Sequence, residues 1–192
     1  MNNTRNIMIV GVGGQGTLLA SRILGNAVIR MGHDVKVSEV HGMSQRGGSV
    51  VTYVKYGEKV HSPIIGDGEA DIVLAFELLE AYRALPALKT GGRLIVNDQR
   101  INPMPVITGA ASYPEDILGK LSAKVDTTAV DALALAKEAG SIKAVNVVLI
   151  GVMAKSTDIP YDTWLETIRE TVPPKFLEVN LKAFELGYHY AK

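Results

Sequence analysis

Six residues near the start, Gly11-Val12-Gly13-Gly14-Gln15-Gly16, constrain this chain more than any other segment. The run Ile7-Met8-Ile9-Val10 before them is apolar without alternation, as in a strand covered on both faces. After them, from Thr17 to Met31, Leu18, Leu19, Ala20, Ile23, Leu24, Ala27, Val28 and Met31 recur at helical spacing. Gly32 ends that helix, and Asp34 to Val40 alternates as a second strand should. Strand, glycine turn, helix and strand make a βαβ unit with a right-handed crossover.

The rhythm continues downstream. Ser49 to Tyr56 is rich in Val and Tyr, and Tyr56-Gly57-Glu58-Lys59 reads as a turn into Val60 to Ile65, predicting an antiparallel hairpin. Asp71 to Phe76 is a buried-strand pattern, followed by a helix from Leu78 to Leu88, a turn at Gly91-Gly92 and a strand from Arg93 to Asn97. Pro103 and Pro105 precede a short strand at Val106 to Thr108, and Pro114-Glu115-Asp116 starts a helix. Asp126-Thr127-Thr128 is read as the cap of a helix through Ala139. Val145 to Ala154 is apolar on nearly all sides and reads as a buried helix. Ile159-Pro160-Tyr161-Asp162 opens an amphipathic helix with Trp164, Leu165 and Ile168, and Pro173-Pro174 precedes a last helix from Lys175 to Tyr190. The predicted fold is α/β: a Rossmann-like, mostly parallel sheet with an appended antiparallel hairpin and a helical C-terminal third, one domain over residues 1–192.

Composition removes several classes of function. The 20 basic residues equal the 20 acidic ones, so no global field draws nucleic acid or an anionic membrane. With 47% hydrophobic residues among 192, a substantial core is expected, yet no apolar run is long enough to span a bilayer. The N-terminus has no apolar stretch with a small-residue cleavage site, and the expected location is the cytoplasm. With no cysteine, disulfides, thiolate zinc sites, a Cys nucleophile and Cys-ligated clusters are excluded within this sequence.

Gly11, Gly13 and Gly16 have G-x-G-x-x-G spacing, where glycine permits close backbone approach and the helix start favours an anion. Glu39 lies about 23 residues beyond Gly16, near the roughly 20 expected of a carboxylate that takes ribose hydroxyls in a dinucleotide site. The same glycines serve equally for tight packing of helix on sheet, and Gln15 and Thr17 for capping. A second loop, Glu39 to Ser49, carries Ser44-Gln45-Arg46-Gly47-Gly48, suited to carboxylate or phosphate or else an ordinary surface loop. It leaves the carboxyl end of its strand, so it and the glycine turn are expected to line one crevice. His41 points the same way as Glu39 along a strand, allowing a Glu–His pair. His33 and His189 read as surface and the acidic turn Asp67 to Asp71 as solvated, while His61 falls in the expected hairpin. Asp98 falls on the ligand side of the sheet or caps local backbone. No group completes a nucleophilic triad and no cluster has metal-ligand spacing, so neither a catalytic nor a metal residue is assigned.

Three motifs in order, Gly11 to Gly16, Glu39 to Ser49 and Asn146 to Gly151, resemble the gamma-type domain of the 2-oxoacid:ferredoxin oxidoreductases. The Ser-Gln-Arg-Gly-Gly form is similar to the branch represented by the beta subunit of indolepyruvate ferredoxin oxidoreductases. The resemblance implies oxidative decarboxylation of an aryl 2-oxoacid such as indolepyruvate to an acyl-CoA, carbon dioxide and reduced ferredoxin. It implies a larger alpha subunit holding thiamine diphosphate and iron–sulfur clusters and meeting ferredoxin. Coenzyme A is the implied co-substrate, and no cofactor is implied in this chain alone, which would be inactive by itself. The candidate ligand contacts are Gly11, Gly13, Gly14, Gln15, Gly16, Thr17, Ser44, Gln45, Arg46, Gly47 and Gly48. Two other readings stand beside it: a stand-alone NAD-dependent oxidoreductase using the glycine turn and Glu39, and a non-catalytic scaffold.

Overall fold

The computed structural model describes residues 4–42 and 47–190. β1 (Arg5–Val12) leads through the glycine turn into α1 (Thr17–Arg30), which ends at Gly32. Gly32 has φ 80°, and the His33 N–H donates back to the Val28 carbonyl at 3.3 Å, closing the helix in a Schellman arrangement. β2 (Asp34–His41) follows as expected. β3 (Ser49–Gly57) then inserts between β1 and β2, antiparallel to both. The first βαβ unit is therefore split: β1 and β2 run the same way but are separated by a strand.

This insertion overturns the expected hairpin from Ser49 to Ile65. β3 has neighbours on both edges, so the residues after Gly57 cannot pair back onto it and form irregular chain. Val60 and Ile65 still bury their side chains, and Asp34 Oδ2 accepts the Val60 N–H at 2.9 Å. The antiparallel hairpin is instead β2–β3.

β4 (Ala70–Ala75), α2 (Leu78–Ala84) and β5 (Leu88–Asn97) extend the sheet in parallel. Pro86 lies in a single 3₁₀ turn that ends the α2 region before Leu88, and β5 starts earlier than the Gly91-Gly92 pair suggested. The expected strand at Val106 to Thr108 is instead α3 (Met104–Ile107), with Pro105 in the first turn, where a missing N–H costs nothing. α4 (Ile117–Ser122) starts from Asp116. Asp126-Thr127-Thr128 does not cap a helix. It belongs to β6 (Asp126–Val130), whose β-branched residues pair in parallel with β5, and Asp131 is the cap, its Oδ1 accepting the Ala134 N–H at 2.9 Å. α5 (Ala132–Ala139), α6 (Val145–Ala154), α7 (Tyr161–Thr171) and α8 (Leu177–Tyr190) complete the helical C-terminal third.

The sheet order is β2-β3-β1-β4-β5-β6. One face packs on α1 and on α5 to α8, around Ile7, Ile9, Ile23, Leu149, Trp164 and Phe184. The other packs on α2 and α4, around Val10, Val73, Leu94 and Leu121. The α/β class, parallel half and antiparallel pair agree with the sequence reading. The carboxyl ends of β1, β4 and β5 open toward the glycine turn, the loop after β2 and the chain after Asn97.

Candidate functional site

The glycine turn is held from below by amide side chains. Gln15 folds inward: its Oε1 accepts the Val12 N–H at 2.7 Å, and its Nε2 donates to the Phe76 carbonyl at 3.0 Å and to Gln99 Oε1 at 3.2 Å. Asn97 Nδ2 donates to the same two acceptors, and its Oδ1 receives the Ala132 N–H at 3.1 Å. Gln15 is thereby a brace between the ends of β1 and β4. Gly11 is required by close approach, since a Cβ there would lie 2.9 Å from Gln15 Oε1 and 3.0 Å from Phe76 Cβ. Gly16 caps α1 at φ 84°, and Asn146 of α6 donates to its carbonyl at 3.3 Å.

The structure brings the two glycine motifs together. The Gly13 N–H donates to the Gly48 carbonyl at 2.8 Å, and the Gly47 N–H donates to the Gly13 carbonyl at 3.3 Å. Ser44, Gln45 and Arg46 lie outside the described residues. A cleft of about 420 Å³ opens on the α1 face, lined by Gly13, Gly14, Gly16, Thr17, Glu39 and His41. No side chain caps α1, so its first N–H groups face this cleft without an intrahelical acceptor. Glu39 accepts from Thr52 Oγ1 at 3.1 Å, and His41 Nδ1 lies 3.0 Å from the Gly42 carbonyl, so each has a partner other than the other. The cleft thus offers donors for an anion and a carboxylate for hydroxyl groups. Asp98 is exposed, its N–H bonded to the Val130 carbonyl.

A second cleft, of about 340 Å³, lies on the α2 face against Gly47, Gly48 and Ser49, with Glu77, Glu80 and Met104 across it. Glu77 is 1% exposed and fully engaged. It accepts the Leu79 and Glu80 N–H groups at 2.6 and 3.0 Å, the Ile101 N–H at 3.0 Å and the Tyr113 hydroxyl at 2.5 Å. Burial, and then the bond to Glu77, push the Tyr113 phenol well above its usual range. Every carboxylate lone pair of Glu77 is used, which suits a structural N-cap and not proton transfer. Glu77, Glu80, Asn97 and Gln99 escaped the sequence reading; a carboxylate directly after a buried strand, at the start of an apolar helix, was the available signal for Glu77.

Residues 6–190 match the family described as pyruvate ferredoxin/flavodoxin oxidoreductase. The chain belongs to that family. Within it, the chain is 46% identical to indolepyruvate oxidoreductase subunit IorB of Thermococcus kodakarensis, over 97% of this chain and 96% of the relative. It is 39% identical to the subunit of the same name from Methanothermobacter thermautotrophicus, over 95% of each. Among solved structures, a keto/oxoacid ferredoxin oxidoreductase gamma subunit from Geobacter sulfurreducens superposes with TM-score 0.71 at 28% identity, covering 97% of this chain and 98% of that one. The gamma-type resemblance and its indolepyruvate branch read from the motifs are borne out.

Family membership also sets what the site has to accommodate. With no cysteine, this sequence offers no thiolate for an iron–sulfur cluster. Among the described residues, no three His, Asp or Glu side chains converge as a metal site. Among the described residues, the donor set does not fit a metal-bound diphosphate or a cluster. No described helix is long and apolar enough to cross a membrane.

Proposed function

We propose that this chain is the small, gamma-type subunit of an aryl 2-oxoacid:ferredoxin oxidoreductase acting on indolepyruvate in the cytoplasm, its residues 1–192 forming one domain. A larger alpha subunit would carry thiamine diphosphate and the clusters and would pass electrons to ferredoxin. The acyl group leaves on coenzyme A. Thiamine supplies the carbanion chemistry in that partner. The present chain contributes a wall of the site: helix-terminal N–H groups, Glu39 and the loop bearing Arg46, which bind and orient and exclude water. The observation that carries this reading is the backbone pairing of Gly13 with Gly47 and Gly48, which joins the two glycine motifs into one site.

The stand-alone dehydrogenase reading is weakened by two features. Insertion of β3 moves the end of β2, and Glu39 with it, one further strand spacing of about 5 Å from the glycine turn. The Val12 and Gly13 N–H groups are also already engaged. Titration of the isolated chain with NAD(H) is expected to show no micromolar binding, and tight binding would restore that reading.

The test of the site is Arg46→Ala in the reconstituted complex. If Arg46 holds a buried anionic group, its loss costs about 2–5 kcal/mol of binding or transition-state energy. Unchanged turnover in an intact complex would reduce the chain to a scaffold.

A further inference from the structure

We propose that Thr52 is a positioning residue for Glu39, fixing its carboxylate to receive a ribose hydroxyl of coenzyme A in the cleft beside α1. The inference rests on the reading of that cleft as a ligand-binding wall.

Thr52 lies in the middle of β3, directly between Ile9 of β1 and Glu39 of β2 in the ladder. Side chains alternate along a strand, so Thr52 shares a face with Val50 and Val54, both buried. Thr52 itself is 0% exposed. A hydroxyl in such a row is unfavourable unless it is hydrogen-bonded, and valine has nearly the same shape without one. The bond it makes is to Glu39 Oε2, at 3.1 Å. Packing therefore accounts for the size of this side chain, and Glu39 for its hydroxyl.

Glu39 is half-buried near the end of β2, the edge strand, and lines the same cleft as Gly14, Gly16 and Thr17. A glutamate at an edge has several side-chain torsions to settle, and holding it in one arrangement costs conformational entropy. Thr52 is clamped between two strands, so its hydroxyl is a fixed point that keeps Glu39 Oε2 beside β3. A carboxylate held in this way still offers lone pairs to a ligand hydroxyl. Without the bond Glu39 spreads over more rotamers, and affinity falls by the fraction still competent to bind. Of the substrates in the proposed reaction, coenzyme A carries a ribose hydroxyl beside phosphates, which suit Glu39 and the N–H groups at the start of α1. Indolepyruvate carries no hydroxyl, so the effect falls on coenzyme A alone.

The experiment uses the complex reconstituted with its larger subunit, with apparent KM measured for coenzyme A and for indolepyruvate. Thr52→Val is expected to raise the KM for coenzyme A roughly 5- to 10-fold, with little change in kcat or in the KM for indolepyruvate. Its melting temperature should not fall below the parent's, since the core keeps its shape and loses a buried polar group. Thr52→Ser, which keeps the hydroxyl, should return the KM for coenzyme A toward the parent value. In a Glu39→Ala background, Thr52→Val should add nothing further. Glu39→Ala, run alone in parallel, separates the two claims. If Glu39→Ala raises the KM for coenzyme A and Thr52→Val does not, the bond is structural only, and the cleft reading stands without it. If neither has an effect, the cleft reading fails and the positioning role with it. A shift from Thr52→Val with none from Glu39→Ala, or equal shifts for both substrates, also overturns the proposal, since the effect would not pass through Glu39 to a ligand hydroxyl.

Discussion

Gly14 and Gly16 both sit at positive φ, 102° and 84°, but their surroundings differ. A Cβ at Gly14 meets open space, whereas one at Gly16 would lie 2.7 Å from Asn146 Nδ2. Gly14→Ala should therefore cost the backbone strain alone, about 1–2 kcal/mol, and Gly16→Ala clearly more, as read by denaturant unfolding. Equal losses would mean that Asn146 yields freely. Tyr56 gives a pH prediction at the same scale. Burial, then the charge of Asp158, raises its phenol to about 12, against roughly 10 unfolded. The stability this contributes is complete below pH 10 and is lost as pH rises through 12. Tyr56→Phe should remove on the order of 2 kcal/mol of the alkaline loss, measured from pH 9 to 12. The glycine positions were legible in the sequence because backbone requirements leave few substitutes. The inward turn of Gln15 was not, because capping and ligand binding ask for the same amide. Glu80 was not, because its hydroxyl partner Ser49 is distant in sequence.

α6 and α8 cross with their backbones in contact. A Cβ at Gly151 would fall 2.2 Å from the Phe184 carbonyl oxygen, and one at Gly187 would fall 2.1 Å from that of Val148. Neither neighbour is a side chain that can swing aside, so Gly151→Ala and Gly187→Ala should each destabilise by about 3 kcal/mol or more, or prevent folding. Thermal melting of the two variants checks this; a loss under 1 kcal/mol would contradict the packing. Because Asn146 opens α6 and reaches the Gly16 carbonyl, a displaced α6 also loosens the glycine turn. The α6 boundaries were readable since a ten-residue run apolar but for Asn146, and closed by Lys155, has few alternatives. β6 and β3 were harder. Asp126-Thr127-Thr128 satisfies cap chemistry as well as strand chemistry, and only its neighbour β5 decides between them. The partners of β3 are likewise a matter of topology: the Val60 to Ile65 segment had strand composition, but both edges of β3 are taken by β1 and β2.

Across the whole molecule, the apolar surface is unevenly disposed. α3 buries none of its residues, and Met104 and Ile107 are each 64% exposed beside the second cleft, with Leu18 and Val40 at 55% elsewhere. Surface of this kind favours association. Sedimentation of the isolated chain should show concentration-dependent self-association that disappears when the larger subunit is added; a clean monomer at high concentration would count against a partner-facing surface. The chain is expected to complete an oxidoreductase that it cannot operate alone. Indolepyruvate-dependent ferredoxin reduction, with coenzyme A present, tests it most directly when measured for this chain, for the larger subunit and for both together. Turnover is expected only when both are present. Turnover by this chain alone, or full turnover by the larger subunit without it, would contradict it.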